Sequence, residues 1–173
     1  MKTLPKMYYK CVEDIDYDKL KKKNIKCILF DLDNTLAPNH ENNVSDSKIK
    51  LIKKLSKNFK VYILSNNTHK KRLEEVSNKL GISYVSFALK PFKRGFSIIK
   101  KKENINYEEM CIIGDQIVTD IVGGNSLNIL TILVDPLGED LKITSMNRKI
   151  ENIFIKKLSN KGLFEKGKYY EWR

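Results

Sequence analysis

Five short apolar runs, at residues 26–30, 60–64, 83–88, 110–113 and 129–134, alternate with lysine-rich segments of helical period. The segments 45–57 (Ile49, Ile52 and Leu55 on one face) and 69–80 (Leu73, Val76 and Leu80, with Gly81 as the stop) read as amphipathic helices. So do 92–102, just after Pro91, and 117–126, and a last helix over 146–159 runs into an irregular tail. A strand that is apolar throughout must be buried on both faces. Strands alternating with helices therefore predict a parallel sheet between two helical layers, a Rossmann-like α/β/α sandwich. The chain has 173 residues, enough for one domain with a real core. We divide it into an N-terminal extension (1–24), a catalytic core (25–135) and a C-terminal helix and tail (136–173).

In open sheets of this kind, ligands sit beyond the carboxyl ends of the strands. The residues just past each strand end therefore carry the most information about function. After the first strand come Asp31 and Asp33, in FDLDNTL. After the second comes Ser65-Asn66-Asn67, beyond the third Lys90-Pro91, and after the fourth Gly114-Asp115, with Asp120 five residues on. Asp31, Asp33 and Asp115 offer hard oxygen ligands of the kind Mg²⁺ prefers, and no histidine or cysteine competes for a softer metal. Ser65 and Lys90 could hold phosphoryl oxygens, one by hydrogen bond and one by charge. This is a phosphoryl-transfer layout, in which positioning and electrostatics do most of the catalysis. Two aspartates serve two tasks: one attacks phosphorus, and the other protonates the leaving oxygen and later deprotonates water.

FDLDNTL, the serine of VYILSNN, the lysine of LKP and the run IIGDQIVTD resemble, in order, the four motifs of the haloacid dehalogenase superfamily. The resemblance implies a sheet of strand order 5-4-1-2-3. It implies that Asp31 is the nucleophile and that Asp33 is the general acid/base, ligating Mg²⁺ through its carbonyl. Ser65 would bind phosphate, Lys90 would stabilise nucleophile and phosphoryl group, and Asp115 would be a metal ligand. Asp120 would be a second acidic position, ligating through water or orienting its neighbours. The aspartate at 33 marks phosphatases rather than dehalogenases in that superfamily.

Only 31 residues lie between Asp33 and Ser65, and 24 between Ser65 and Lys90. One helix and one strand of ordinary length use up each gap, so no cap domain is expected and the site should be open. An open site suits a bulky or surface-held substrate. The closer resemblance, over nearly the whole chain, is to the capless YqeG family, related to phosphatidylglycerophosphate phosphatases. It rests on the N-terminal PKMYYKCVED…DLDNTLAP, on ALKP, on GDQIVTDIVGGN and on NRKIEN. It implies a phosphomonoester substrate, phosphatidylglycerophosphate, hydrolysed to phosphatidylglycerol. A soluble phosphate ester is the alternative with the same chemistry.

The remaining features bear on partners. The net charge is +12, which can attract nucleic acid, anionic lipid or a polyanionic substrate. The excess is nearly all lysine, scattered on helix faces with few aromatics. Nucleic acid is thus not the partner expected, and a non-catalytic RNA- or ribosome-associated module is the alternative of a different class. Lys93 and Arg94 could hold a second phosphate, or be solvated helix residues. Asn66 could contact phosphate, or with Asn67 and Thr68 open the next helix. Ile150, Ile153, Phe154 and Leu158, flanked by Arg148, Lys149, Lys156 and Lys157, read as the core face of the last helix or as a basic amphipathic membrane contact. Phe164, Tyr169, Tyr170 and Trp172 could sit at a lipid interface or fasten the tail. His40 could line the site or lie on the surface. Cys11, Cys27 and Cys111 fit no zinc spacing, and Cys27 and Cys111, each opening an apolar run, read as core thiols of a reducing compartment. With no apolar signal core, and no run near the roughly 20 residues that span a bilayer, we expect a cytoplasmic protein able to touch the inner membrane face. No Walker-type glycine loop is present, and the motif order differs from that of a phospho-receiver domain.

Overall fold

The structure, a computed structural model, describes residues 1–39, 41–138 and 145–172, the first four of the last stretch as backbone only. His40 and the side chain of Arg148, both considered from sequence, lie outside the described residues. Six parallel strands form one sheet: β1 (Met7–Tyr9), β2 (Cys27–Phe30), β3 (Lys60–Leu64), β4 (Ser83–Val85), β5 (Met110–Gly114) and β6 (Leu130–Val134). Their order is β1-β6-β5-β2-β3-β4. The expected five-strand order is present unbroken as β6-β5-β2-β3-β4, with β2 as the first expected strand, and β1 is added outside β6 at one edge. The sixth strand is the correction. Residues 7–9, assigned to an extension, pair parallel with β6 from Met7↔Ile132 to Tyr9↔Val134. Three residues are too few to show a period, which is why the sequence did not announce them.

The helices are α1 (Tyr17–Lys22), α2 (Asp46–Leu55), α3 (Lys70–Leu80), α4 (Arg94–Glu103), α5 (Val122–Ser126) and α6 (Ser145–Asn160). Ser45 caps α2 by accepting from the Lys48 N–H, and Gly81, at φ 67°, closes α3 in the left-handed region. The sheet divides the core in two. Ile28, Phe30, Ile63 and Ile113 face α2 and α3 with Ile52, Leu73 and Val76, while Leu29, Leu64 and Ile112 pack with Phe96 and Ile99 of α4. All four residues of β2 are buried, as are the four ladder residues of β5 that flank it. Cys27 and Cys111 lie within these strands as free core thiols. The β2–β3 and β3–β4 connections carry one helix each, α2 and α3, among the described residues, and no cap stands over the sheet there.

Two further boundaries differ from expectation. The third strand stops at Val85 rather than Ala88, because Phe87 and Leu89 take φ of 47° and 56° and turn the chain into a loop. The segment 117–126 opens with a π-helical turn, Ile117–Ile121, before α5. Wider turns of this kind are common where a helix must present a side chain to a site.

The tail is fastened to the fold. Tyr170 pairs antiparallel with Tyr8, Phe164 is buried on the Tyr8 ring at 5.1 Å, and Lys23 sits over the Trp172 ring at 3.9 Å. Tyr8 and Tyr169 hydroxyls both donate to Asp135 at the end of β6. In α6 the expected stripe is only half right. Leu158 is buried and Phe154 half-buried, but Ile150 and Ile153 face out, and Ile155 packs inward instead. Among the described residues no helix is long and apolar enough to cross a membrane.

Candidate active site

Strand β2 runs directly into Asp31, whose N–H still donates to Ile113 O of β5 at 2.9 Å. The chain then turns back on itself. Leu36 and Ala37 N–H groups both reach Leu32 O, and Asn34 adopts φ 59°, which asparagine tolerates better than most residues. This turn sets Asp31 over the sheet edge, opposite the loops that leave β3, β4 and β5.

Lys90, from the loop after β4, reaches under that edge. Its ammonium donates to Asp31 Oδ1 and to Asp120 Oδ1, each at 2.6 Å, and all three side chains are buried. Asp115 joins them: carboxylate oxygens of Asp31, Asp115 and Asp120 lie within 4.8 Å of one another. Asp120, expected as a secondary residue, is fully enclosed at 0% exposure and is part of this cluster. The π-helical turn brings it back onto β5, where its second oxygen accepts from the Gln116 N–H at 3.2 Å. Gly114 makes the approach possible, since a Cβ there would stand 2.2 Å from Asp120 Oδ2.

Charge explains the titration of the group. Burial raises the Asp31 carboxyl, Lys90 pulls it back, and the neighbouring Asp120 raises it again, leaving it at about 7. Asp115 is raised well above the usual carboxylate range by desolvation and then by Asp31 and Asp120. Burial alone would depress the Lys90 ammonium, but Asp120 and Asp31 together hold it above the ordinary lysine range. One ammonium thus faces three carboxylates. A divalent cation bound by hard oxygen donors would complete the charge balance, and the donor set fits one.

Other expected residues are placed differently. The Asp33 carboxylate stands outside the cluster and is held by Arg72 Nη1 at 2.7 Å. Arg72 also donates to the carbonyls of Pro38 and Glu41, so it ties α3 to the loop after β2. Asn66, proposed for phosphate, has its side chain engaged by Lys90: it accepts from the Lys90 N–H at 2.7 Å and donates to Lys90 O at 2.9 Å. It positions the lysine loop. Ser65 is buried at the end of β3 and accepts from the Asn67 N–H at 3.0 Å. Asn67 in turn accepts from the His69 N–H at 2.8 Å in the turn ahead of α3, whose N-cap is His69 with no side-chain cap, so neither Asn67 nor Thr68 caps that helix. Thr35 donates to Asp115 at 3.4 Å. Lys93 and Arg94 are exposed, and Arg94 donates to Phe87 O beside the Phe87 ring.

Sequence reasoning missed Arg72 and Glu151. The signal for Arg72 was its type, one of four arginines among 33 basic residues. Glu151 of α6 accepts from the N–H groups of Ile117, at 2.6 Å, and Val118, at 3.1 Å. It caps the turn that carries Asp120. Burial raises its carboxyl, and these two N–H groups lower it in part. Removing its oxygens would strand both donors, a cost of about 1–3 kcal/mol. Glu151→Ala is therefore expected to lower the melting temperature by about 2–4 °C per kcal/mol lost. Thermal denaturation checks this, and an unchanged midpoint would contradict the capping role.

A cleft of about 780 Å³ opens beside Asp115, lined by Gln116, Asp135, Leu137, Glu151 and Lys166 among others. A second, of about 550 Å³, lies at the amino ends of the strands, near Lys6, Lys23, Asn128 and Trp172, away from the carboxylates.

The fold is that of the haloacid dehalogenase-like proteins. The sheet superposes on the cobalt-bound deoxy-D-mannose-octulosonate 8-phosphate phosphatase of Haemophilus influenzae with a TM-score of 0.51, at 18% identity, over 84% of this chain and 95% of that one. It superposes on a haloacid dehalogenase-like hydrolase of Streptococcus pneumoniae with a TM-score of 0.52, at 14% identity, over 68% and 88% of the two chains. Sequence narrows the class. The profile described as "Mitochondrial PGP phosphatase" matches residues 1–138. "Probable phosphatase YqeG" of Bacillus subtilis is 35% identical over 92% of this chain and 93% of its own. Phosphatidylglycerophosphate phosphatase 1 of Arabidopsis thaliana is 27% identical over 93% of this chain, which spans 49% of that longer protein. The chain belongs to the PGP phosphatase family and is a haloacid dehalogenase-type phosphatase.

Proposed function

We propose that the chain hydrolyses phosphatidylglycerophosphate to phosphatidylglycerol through an aspartyl-phosphate on Asp31. The observation that carries this reading is the buried Lys90 bridging Asp31 and Asp120 beneath an uncapped sheet edge. Asp31 is the nucleophile: a carboxylate oxygen forms a bond to phosphorus as the ester oxygen leaves with a proton from Asp33. Water then attacks the same phosphorus, gives its proton to Asp33, and releases phosphate and a free Asp31. Ser65 donates to a phosphoryl oxygen. Lys90 offsets charge on Asp31 and on the transferring group.

Asp31, Asp115 and Asp120 would supply the carboxylates for Mg²⁺, with the Asp33 carbonyl as the further ligand that the family resemblance implies. When bound, Mg²⁺ would supply positive charge to offset that of the phosphoryl group. Support for a lipid substrate comes from the family's description and from the name of the Arabidopsis relative. The cleft beside Asp115 gives room for a large leaving group. On this reading the protein works in the cytoplasm, in peripheral contact with the inner membrane face. An RNA-binding module without catalysis loses its ground once the family is known to be one of phosphatases.

The test is phosphate release from phosphatidylglycerophosphate in mixed micelles with Mg²⁺, set beside glycerol 3-phosphate and a nucleotide. Preferred turnover of the lipid is expected. Hydrolysis of the soluble esters alone would keep the chemistry and discard the phospholipid.

A further inference from the structure

The loop that delivers Lys90 to the site alternates sharply in exposure. Ala88 and Lys90 are buried, whereas Phe87, Leu89 and Phe92 are 49%, 38% and 71% exposed. Three large apolar side chains on six residues of surface loop form an uncommon patch for a soluble face. The backbone does not relax to hide them. Phe87 and Leu89 hold positive φ, a region costly for bulky residues. They are kept there by the Phe87 N–H to Asn67 O, by the Ala88 N–H to Ser65 O at 3.0 Å, and by the Gly95 N–H to Ala88 O at 3.0 Å. Gly95 has no room for a side chain, since a Cβ would lie 2.7 Å from Ala88 Cβ, so α4 clamps the loop from below. The same bonds that aim Lys90 inward therefore aim its apolar neighbours outward.

Charge accompanies the patch. From residue 86 to 102 there are six basic residues and no acidic one, and only Lys90 of the six is buried. Arg94, Ile98 and Lys101 succeed one another at helical spacing along α4, all exposed. A second apolar group stands across the site. Leu137, exposed beyond β6, donates its N–H to Asn34 O at 2.9 Å in the nucleophile turn. The strand order sets β4 and β6 on opposite sides of β2. Apolar side chains thus flank the Asp31 strand on both sides of the open edge.

We propose that the 86–94 loop and the exposed Arg94–Ile98–Lys101 face of α4 form a docking surface for an anionic lipid bilayer. Phe87, Leu89 and Phe92 enter the interface, and Lys93, Arg94 and Lys101 meet the headgroups. A bilayer is the occupant that matches a projecting apolar tip on a segment whose charged residues, from 86 to 102, are all basic. The proposal deepens the reading of a membrane-borne substrate, because docking there brings the uncapped edge to the lipid surface. It gives Lys93 and Arg94 a role at the membrane rather than on a second substrate phosphate.

The experiment is sedimentation of the full chain with vesicles, with no hydrolysis involved. Vesicles contain equal phosphatidylglycerol and phosphatidylcholine, or phosphatidylcholine alone. The wild type is expected to sediment with the anionic vesicles and much less with neutral ones. Binding should weaken as salt rises from about 0.15 M to about 0.5 M, through screening. The variant Phe87→Asn, Leu89→Asn, Phe92→Ser uses asparagine where φ is positive. It should lose about tenfold or more of its partitioning, on the scale of apolar burial. Its melting temperature should be no lower than that of the wild type, and its hydrolysis of p-nitrophenyl phosphate should match.

The pair Lys93→Glu, Lys101→Glu should lose binding to anionic vesicles specifically. Wild type that stays in the supernatant, or a triple variant that binds as well as wild type, would overturn the proposal. So would a wild-type dimer that the triple variant dissolves in sedimentation velocity, since a second copy would then cover the patch. Vesicle binding without lipid hydrolysis would sink the substrate reading and leave the docking surface standing.

Discussion

Asp31→Asn is expected to lower phosphate release by about four orders of magnitude or more, and at the same time to make the protein more stable. The first effect comes from removing the atom that attacks phosphorus, since an amide is a poor nucleophile and a poor leaving group. The second comes from the charges. One ammonium is shared between Asp31 and Asp120, and Asp115 lies within the same cluster. Asparagine keeps the shape of Asp31 and removes one of three mutually repelling charges, while Lys90 keeps Asp120 as its partner.

The pH dependence has a definite sign. Asp31 titrates at about 7 in the fold, above the roughly 3.9 of an unfolded aspartate. Its contribution to stability is therefore fully present below the unfolded value and lost as pH rises through about 7. Substitution relieves this loss, so the gain in melting temperature should be larger at pH 8 than at pH 5.5, and should shrink when Mg²⁺ is added. A gain of ~1 kcal/mol would appear as a rise of about 2–4 °C. Calorimetry with and without Mg²⁺ at the two pH values, beside the phosphate assay, measures both effects. A variant that still turns over ester at the wild-type rate would remove Asp31 from the mechanism.

Much of this was legible in the chain because two kinds of signal were strong. The strands are apolar without interruption, since each is covered on both faces, and the polar residues that end them are of types that a buried edge would otherwise exclude. What stayed hidden has physical causes too. Strand β1 and helix α1 are too short to carry a period. In α6 the phase was misread for a more instructive reason. The inward face is Glu151, Phe154, Ile155 and Leu158, at spacings of three, four and seven. Its first member is a carboxylate, which caps the Asp120 turn. Reading apolar residues alone shifted the stripe onto Ile150 and Ile153, which are exposed. A half-buried charged residue held by its hydrogen bonds is invisible to a hydrophobic pattern. The same holds for Arg72, whose partners are the Asp33 carboxylate and two loop carbonyls. Asn66 was noticed, but its partner, the backbone of Lys90, is remote in sequence.

Lys90→Met should produce the opposite change in stability, and the contrast tests the ion cluster itself. Methionine fills the space of the lysine stem but leaves Asp31, Asp115 and Asp120 with no buried cation. Removing one partner of a buried ionic group costs about 3–5 kcal/mol, because the remaining charges stay uncompensated. At about 2–4 °C per kcal/mol, the melting temperature should fall by roughly ten degrees near neutral pH. Lys90 is also what lowers Asp31 in the wild type. Without it the Asp31 and Asp115 carboxyls rise further and the folded variant takes up protons, so the deficit should be largest at pH 8 and diminish toward pH 5.

The double variant Lys90→Met, Asp31→Asn removes one cation and one anion together. It should recover part of the lost stability and none of the activity, a coupling that additive sites would not show. Mg²⁺ should restore stability to Lys90→Met more than to wild type, since it then replaces the missing charge. If Lys90→Met melts at the wild-type temperature with no pH dependence, the three carboxylates do not depend on Lys90 for their burial. The reading of this edge as a preorganised phosphoryl-transfer site would then lose its electrostatic foundation.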